Sequence, residues 1–133
     1  MRDVRFGCQN QYLAGMPAKN NITLELDHHD KKRIEYFLNN VDEKLEQIPF
    51  DVRNLNHADD IIAGFKFKGI ALPISVTVIV ATSYSHADEI ATANSFYKIP
   101  NTRCTINGYL LFVVESTDES AVSNMLSFFA GRE

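Results

Sequence analysis

The most regular hydrophobic pattern in the chain lies between residues 34 and 48. Six apolar side chains recur there with the spacing of one face of an α-helix: Ile34, Phe37, Leu38, Val41, Leu45 and Ile48. Asp27 or Asp30 can cap the start of this helix, because an aspartate oxygen accepts hydrogen bonds from the free N–H groups of the first turn. Pro49 would end the helix, since proline cannot donate the next helical hydrogen bond. The pattern predicts a long helix packed on the core.

Strict alternation of apolar and polar residues predicts several strands. The alternating segments are 22–26, 65–68 and 74–78, and the third continues to Ala81 with apolar residues on both faces, as in a central strand covered on both sides. A turn near Gly69 would join the second and third strands into a hairpin. A further hairpin is predicted over residues 103–115, because Asn107-Gly108 readily adopts the positive φ angles of a tight turn.

Two shorter helices are predicted in the second half of the chain. The first would be capped by Ser85 and end before Pro100, with a modest apolar side: Ile90, Ala91, Ala93 and Tyr97. The second would begin at residues 117–119 and end at Gly131. Its apolar stripe has helical spacing: Val122, Met125, Leu126 and Phe129.

The resulting order of elements is strand, helix, strand, strand, helix, strand, strand, helix. It predicts an α+β fold, with an antiparallel sheet of four to five strands packed by two or three helices. A ferredoxin-like βαββαβ order followed by a C-terminal helix is favoured, and a four-stranded meander flanked by two helices is the alternative. Residues 1–20 are predicted to form a poorly structured N-terminal segment, followed by a single domain over residues 21–133.

Composition and charge narrow the possible functions. The chain has 133 residues, of which 45% are hydrophobic and 23% charged, values typical of one globular domain. Its net charge of −4 argues against nucleic-acid binding, which depends on Lys and Arg neutralising phosphates. The longest apolar stretch, residues 70–81, is too short to span a bilayer, and no signal-peptide core precedes it. We therefore expect a cytoplasmic protein without membrane insertion, a signal removed upstream of Met1 being the alternative.

Cysteine and histidine are the residues with potential chemistry. Cys8 and Cys104 form no metal-type pair, and they are expected to be free and buried although one bridge is also possible. Every histidine lies beside acids, in three segments that contain two types of metal ligand: Asp27-His28-His29-Asp30, His57-Ala58-Asp59-Asp60 and His86-Ala87-Asp88-Glu89.

These three His–acid segments have two interpretations. A metal site would require three or four of their groups to converge, with His28, His57 and His86 as the first candidate ligands. Acids and histidines also gather at helix starts for capping and dipole reasons, and this simpler interpretation is preferred. The second and third segments are nearly identical over five residues, but their flanking patterns differ, so no internal repeat is inferred.

The absence of a nucleophile elbow or a phosphate-binding loop favours a non-enzymatic role without a cofactor. We expect a binding or assembly domain that recognises a protein partner or itself, as a homodimer or larger homo-oligomer. Four aromatic residues exceed what the helical stripes need and could cover an interface: Tyr84, Phe96, Tyr97 and Phe128. The alternative is a small divalent-metal-dependent hydrolase that uses His28, His57 and His86.

Overall fold

The computed structural model describes residues 24–41 and 43–131. Helices and strands follow one another in the order α1 (His28–Asn40), β1 (Leu45–Ile48), β2 (Ile61–Gly69), β3 (Ile74–Ala81), α2 (Tyr84–Ala93), β4 (Thr102–Asn107), β5 (Leu110–Ser116) and α3 (Glu119–Phe129). Short 3₁₀ turns lie at Val52–Asn54, Ala58–Asp60 and Phe96–Lys98.

The five strands form one antiparallel sheet in the order β1-β2-β3-β5-β4. The α+β class and the antiparallel sheet are thereby confirmed. The ferredoxin-like order is not confirmed, because β1, β2 and β3 pair consecutively as a meander before α2. The simple four-stranded alternative is also wrong, since β5 rather than β4 pairs with β3 and leaves β4 at the sheet edge.

Helices α1 and α3 cover one face of the sheet. Phe37 of α1 contacts Phe112 of β5 edge to face at 5.3 Å, and Phe112 stacks on Phe129 of α3 at 4.4 Å. The predicted stripe of α3 is confirmed: Val122, Met125 and Phe129 are buried, Leu126 packs against the same core, and Asp118 caps the helix. Aromatic packing therefore joins the two outer helices to the centre of the sheet.

The long helix predicted over residues 34–48 is wrong in its second half. Helix α1 ends at Asn40, whose side chain donates to the carbonyl of Tyr36, and Leu45–Ile48 is strand β1. Val41 and Leu45 still enter the same core as α1, so the apolar positions were right although their secondary structure was not. Pairing with β2 provides hydrogen-bond partners for the backbone of residues 45–48. This tertiary interaction overrides the helical spacing of their apolar side chains.

Two further predictions need correction at their boundaries. Residues 24–26 of the predicted first strand are not in a strand, while residues 22–23 and the predicted N-terminal segment lie outside the described residues. The second hairpin is confirmed, but its two turn residues are Gly108 and Tyr109, with Gly108 at a φ of 65°. Asn107 instead closes β4, and its side-chain amide donates to the Phe129 carbonyl.

Helix α2 covers the opposite face of the sheet. Its buried side chains, Ala87, Ile90 and Ala91, pack on Ile79 of β3 and on Leu111 of β5. The helix is capped by Ser83, two residues before the predicted cap, and Ser83 accepts the His86 N–H. None of the described helices is long and apolar enough to cross a membrane.

We expect the Ile90→Ala substitution to lower the free energy of unfolding by about 2–5 kcal/mol, because it leaves a cavity under α2. Ile90 is 0% exposed, whereas Ile62 on β2 is 58% exposed and provides a matched control. Ile62→Ala should cost less than about 1 kcal/mol. Urea unfolding of both variants measures the difference, and equal losses would contradict the packing described for α2.

Candidate metal centre

Two of the three His–acid segments meet at the start of α2. His57, Asp60 and Glu89 each offer one ligand atom, and these atoms lie within 4.8 Å of one another. His86 lies beside them, with its Nε2 3.7 Å from Oδ1 of Asp60. We refer to His57, Asp60, His86 and Glu89 as the ligand cluster.

Asp60 lies between the two imidazoles. Its Oδ2 is 3.1 Å from Nδ1 of His57, and its Oδ1 faces Nε2 of His86 at 3.7 Å. Ligand atoms bound at about 2.0–2.1 Å to a tetrahedral zinc ion lie ~3.4 Å apart. The two separations from Asp60 are therefore close to those of a coordinated set, while Glu89 lies within 4.8 Å of His57 and Asp60.

Hydroxyl groups at the start of α2 orient His86. Its Nδ1 is hydrogen-bonded to Oγ1 of Thr82 at 2.5 Å and to Oγ of Ser83 at 3.1 Å. This leaves Nε2 as the ring nitrogen directed at Asp60. Metal-ligating histidines commonly have their other ring nitrogen fixed in this way.

The β2–β3 hairpin brings the two segments together. Ile61 at the start of β2 pairs with Ala81 at the end of β3, and the Thr82 N–H donates to the Asp60 carbonyl at 3.0 Å. The residues before β2 therefore lie beside the residues that begin α2. His86 and Glu89 are three positions apart on the helix, so they share one side of it.

Two asparagines, Asn56 and Asn94, join the segment before β2 to the C-terminal end of α2. Asn56 donates its N–H to Oδ1 of Asn94 at 2.8 Å, and Asn94 donates from Nδ2 to the Asn56 carbonyl at 3.0 Å. Asn94 is the C-cap of α2. His57, immediately after Asn56, has a φ of 62°, a left-handed conformation that costs about 1–2 kcal/mol for most residues. Such a conformation persists only where its surroundings hold it.

The structure separates His28 from the other candidate ligands. His28 is the exposed first residue of α1, on the opposite layer of the sheet, and within the described part of the chain it belongs to no group of three possible metal ligands. Asp30, from the same segment, is buried and accepts a hydrogen bond from the Tyr109 hydroxyl. The segment 27–30 is therefore explained as the cap and first turn of α1.

The sequence singled out His57 and His86 but did not assign Asp60 and Glu89 as ligands. The signal that could have found them was the predicted hairpin itself. Counting back from its strands places residue 60 near residues 82 and 83, within the one-residue shift that the β-bulge between Ile61 and Ala63 introduces, and therefore brings the two nearly identical five-residue segments together.

Two imidazoles and two carboxylates suit zinc and related divalent transition-metal ions. The side chains of His57, His86 and Asp60 are 45%, 37% and 29% exposed, so an ion can reach them from solvent. Three cavities of about 320, 420 and 250 Å³ in the described residues are lined by other side chains. The cluster is therefore a surface site, without one of these cavities beside it.

Cys104 is a free thiol in the structure, while Cys8 lies outside the described residues. Burial under α2 raises the pKa of the Cys104 thiol above its ordinary value. Burial and a hydrogen bond with Cys104 raise the pKa of Tyr97 to about 12. A raised pKa lowers the thiolate fraction at neutral pH and with it the reactivity of the Cys104 thiol.

Comparisons of the chain with protein-family models, with curated proteins and with solved structures gave no significant match. The function is therefore argued from the geometry of the ligand cluster.

We expect the Asn94→Ala substitution to lower the free energy of unfolding by about 0.5–1.5 kcal/mol, because it removes two hydrogen bonds to exposed backbone groups of Asn56. Urea unfolding of the metal-free protein measures the loss. Asn124, an exposed residue of α3, provides a control, and Asn124→Ala should change the stability by less than about 0.5 kcal/mol. Indistinguishable curves for the two variants would show that the asparagine pair does not hold the connection to α2.

Proposed function

We propose that this chain is a non-enzymatic binding domain whose ligand is a divalent transition-metal ion of the zinc class, held by the ligand cluster. The observation that carries the proposal is the convergence of His57, Asp60 and Glu89 within 4.8 Å, with His86 beside them. These groups come from two segments that are far apart in the sequence. Imidazole and carboxylate groups are both ligand types of zinc, and three or four such groups are the number that a zinc site uses.

The number of protein groups in the cluster favours a structural site over a hydrolase, although imidazole and carboxylate ligands without cysteine are also the ligands of catalytic zinc sites. Structural zinc sites use four protein ligands, whereas catalytic sites keep one position open for water or substrate. Three protein groups lie within 4.8 Å of one another, His86 is 3.7 Å from one of them, Asp60, and none of these four residues lines the three cavities described above. A hydrolase would also need a place for its substrate beside the ion. The metal-dependent hydrolase is therefore the weaker proposal.

An ion at this place would cross-link the connection before β2 to helix α2. Because the ligand atoms are brought together only in the folded chain, ion binding would stabilise the fold. At a free ion concentration 100 times the dissociation constant, the gain is about 2.7 kcal/mol. We infer that the ion serves the architecture of the domain.

Self-association remains a second proposal, supported by the sheet edge. Strand β4 has six residues without proline and lies at the edge, where its outer backbone groups can pair with another copy. Tyr97, close to this strand, is 55% exposed, and Tyr84 is 67% exposed, whereas Phe96 and Phe128 are half-buried against the cores. Sedimentation equilibrium at micromolar concentration tests the proposal, and the mass of a single chain would contradict it.

Isothermal titration calorimetry with zinc tests the metal site. We expect one ion per chain with micromolar or tighter affinity, and at least about a tenfold loss of affinity in the His57→Asn variant. Asparagine is chosen because it tolerates the left-handed backbone that His57 adopts, so the loop should keep its conformation.

The matched control for this titration is His28→Asn, which removes an imidazole from the opposite layer. Its affinity should stay within about twofold of the parent value, since His28 lies outside the ligand cluster. Absence of zinc binding, or an equal loss in both variants, would overturn the proposal.

A further inference from the structure

Helix α2 is held to the sheet by fewer large apolar side chains than the other two helices. Its buried side chains are two alanines and one isoleucine. Helix α1 buries Ile34, Phe37 and Leu38, while α3 buries Val122, Met125 and Phe129. Burial stabilises by about 0.8 kcal/mol per CH₂ group, so the apolar contribution of α2 is the smallest of the three.

Polar contacts at both ends of α2 supply the rest of its attachment. Asn94 and Asn56 form the reciprocal pair at the C-terminal end. Asp60 joins the N-terminal end through its carbonyl, which accepts the Thr82 N–H, and through its carboxylate, which faces His86. Exposed polar contacts contribute little net free energy, so α2 belongs to the part of the fold that opens most easily.

The ligand cluster bridges the boundary across which α2 would open. His57 and Asp60 precede β2, whereas His86 and Glu89 are on α2 itself. An ion bound by all four groups would have to lose half of its ligands before the helix could leave the sheet. Ion binding therefore stabilises the closed form, with α2 on the sheet, relative to the open form. The size of this effect is the difference between the affinities of the two forms for the ion.

Cys104 lies beneath this layer and can report its opening. The thiol is half-buried and packs against the core under α2, opposite Val113 of β5. Burial raises the pKa of this thiol, the Tyr97 hydroxyl in the 3₁₀ turn after α2 lowers it, and the Asp88 carboxylate of α2 raises it, so both elements lie close to Cys104. Removal of α2 and this turn from the sheet would expose the thiol.

We propose that the bound ion is a latch that controls the opening of α2 from the sheet, and with it the exposure of Cys104 and of the apolar sheet face beneath the helix. This inference rests on the proposed metal site and adds a regulatory role to it. Loss of the ion would leave α2 attached only by its small apolar face and its exposed polar contacts. The other layer, formed by α1 and α3, would keep its aromatic packing whether or not the ion is bound.

The rate of Cys104 alkylation tests the latch. The Cys8→Ser background leaves Cys104 as the only thiol of the chain. In this background, the rate with iodoacetamide should fall at least about tenfold, and up to about 100-fold, when zinc is present at 100 times its dissociation constant. The limit of about 100-fold is reached where alkylation proceeds through the open form alone, and any reaction of the half-buried thiol in the closed form makes the effect smaller.

The Cys8→Ser, His57→Asn double variant is the control for direct zinc–thiol contact. Its thiol is unchanged but its ligand cluster is incomplete, so at the same zinc concentration its alkylation should slow by no more than about a tenth of the factor expected for the parent. Equal slowing in both proteins would overturn the latch. If calorimetry shows zinc binding but zinc leaves the alkylation rate unchanged, the latch is overturned and the metal site stands. If calorimetry shows no zinc binding, the metal site itself is overturned.

Hydrogen exchange distinguishes a local latch from general stabilisation. With zinc, the α2 amides that exchange by opening of this layer should slow at least about tenfold, while the α3 amides that exchange by local fluctuations of their own layer should change less than about twofold. Equal protection of both helices would mean that the ion stabilises the whole fold and not the attachment of α2. That result would overturn the latch.

Discussion

The two central strands, β3 and β5, are buried on both faces, and the rest of the structure depends on this constraint. Every residue of β3 from Val76 to Ala81 and every residue of β5 from Leu110 to Val114 is buried. Such strands require a helical layer on each side of the sheet, because neither apolar face can remain in water. Helices α1 and α3 provide one layer, and α2 provides the other with a much smaller apolar face. The candidate site lies where that second layer is attached.

The sequence predicted the parts of the fold that depend on local patterns. The two-sided apolar run of β3, the stripe of α3 and the hairpin around Gly108 are all confirmed. Strand β1 was missed because Leu45 and Ile48 continue the helical spacing of α1, and only pairing with β2 decides between helix and strand. The sheet order was not predictable for the same reason, since the pairing of β3 with β5 is a long-range contact that no local pattern encodes.

The candidate site was only half visible in the sequence. His57 and His86 stood out by residue type, but a similar pattern around His28 proved to be the start of a helix on the other layer. Residue type alone therefore did not separate the candidate ligands from residues that cap a helix. The separation depends on the register of the β2–β3 hairpin, which places Asp60 beside Thr82 and so brings two distant segments into one cluster. Register is a property of the folded sheet, and it supplies the information that composition lacks.

The central claim is that His57 and His86 bind one ion together while the histidines of α1 do not. Long-range ¹H–¹⁵N NMR correlations of the imidazole rings, recorded before and after addition of one equivalent of zinc, test it most directly, because they report each ring nitrogen separately. The account predicts that ring nitrogens of His57 and His86 shift and that those of His28 and His29 stay in place. Shifts at His28 and His29, or no shift at His57 and His86, would contradict it.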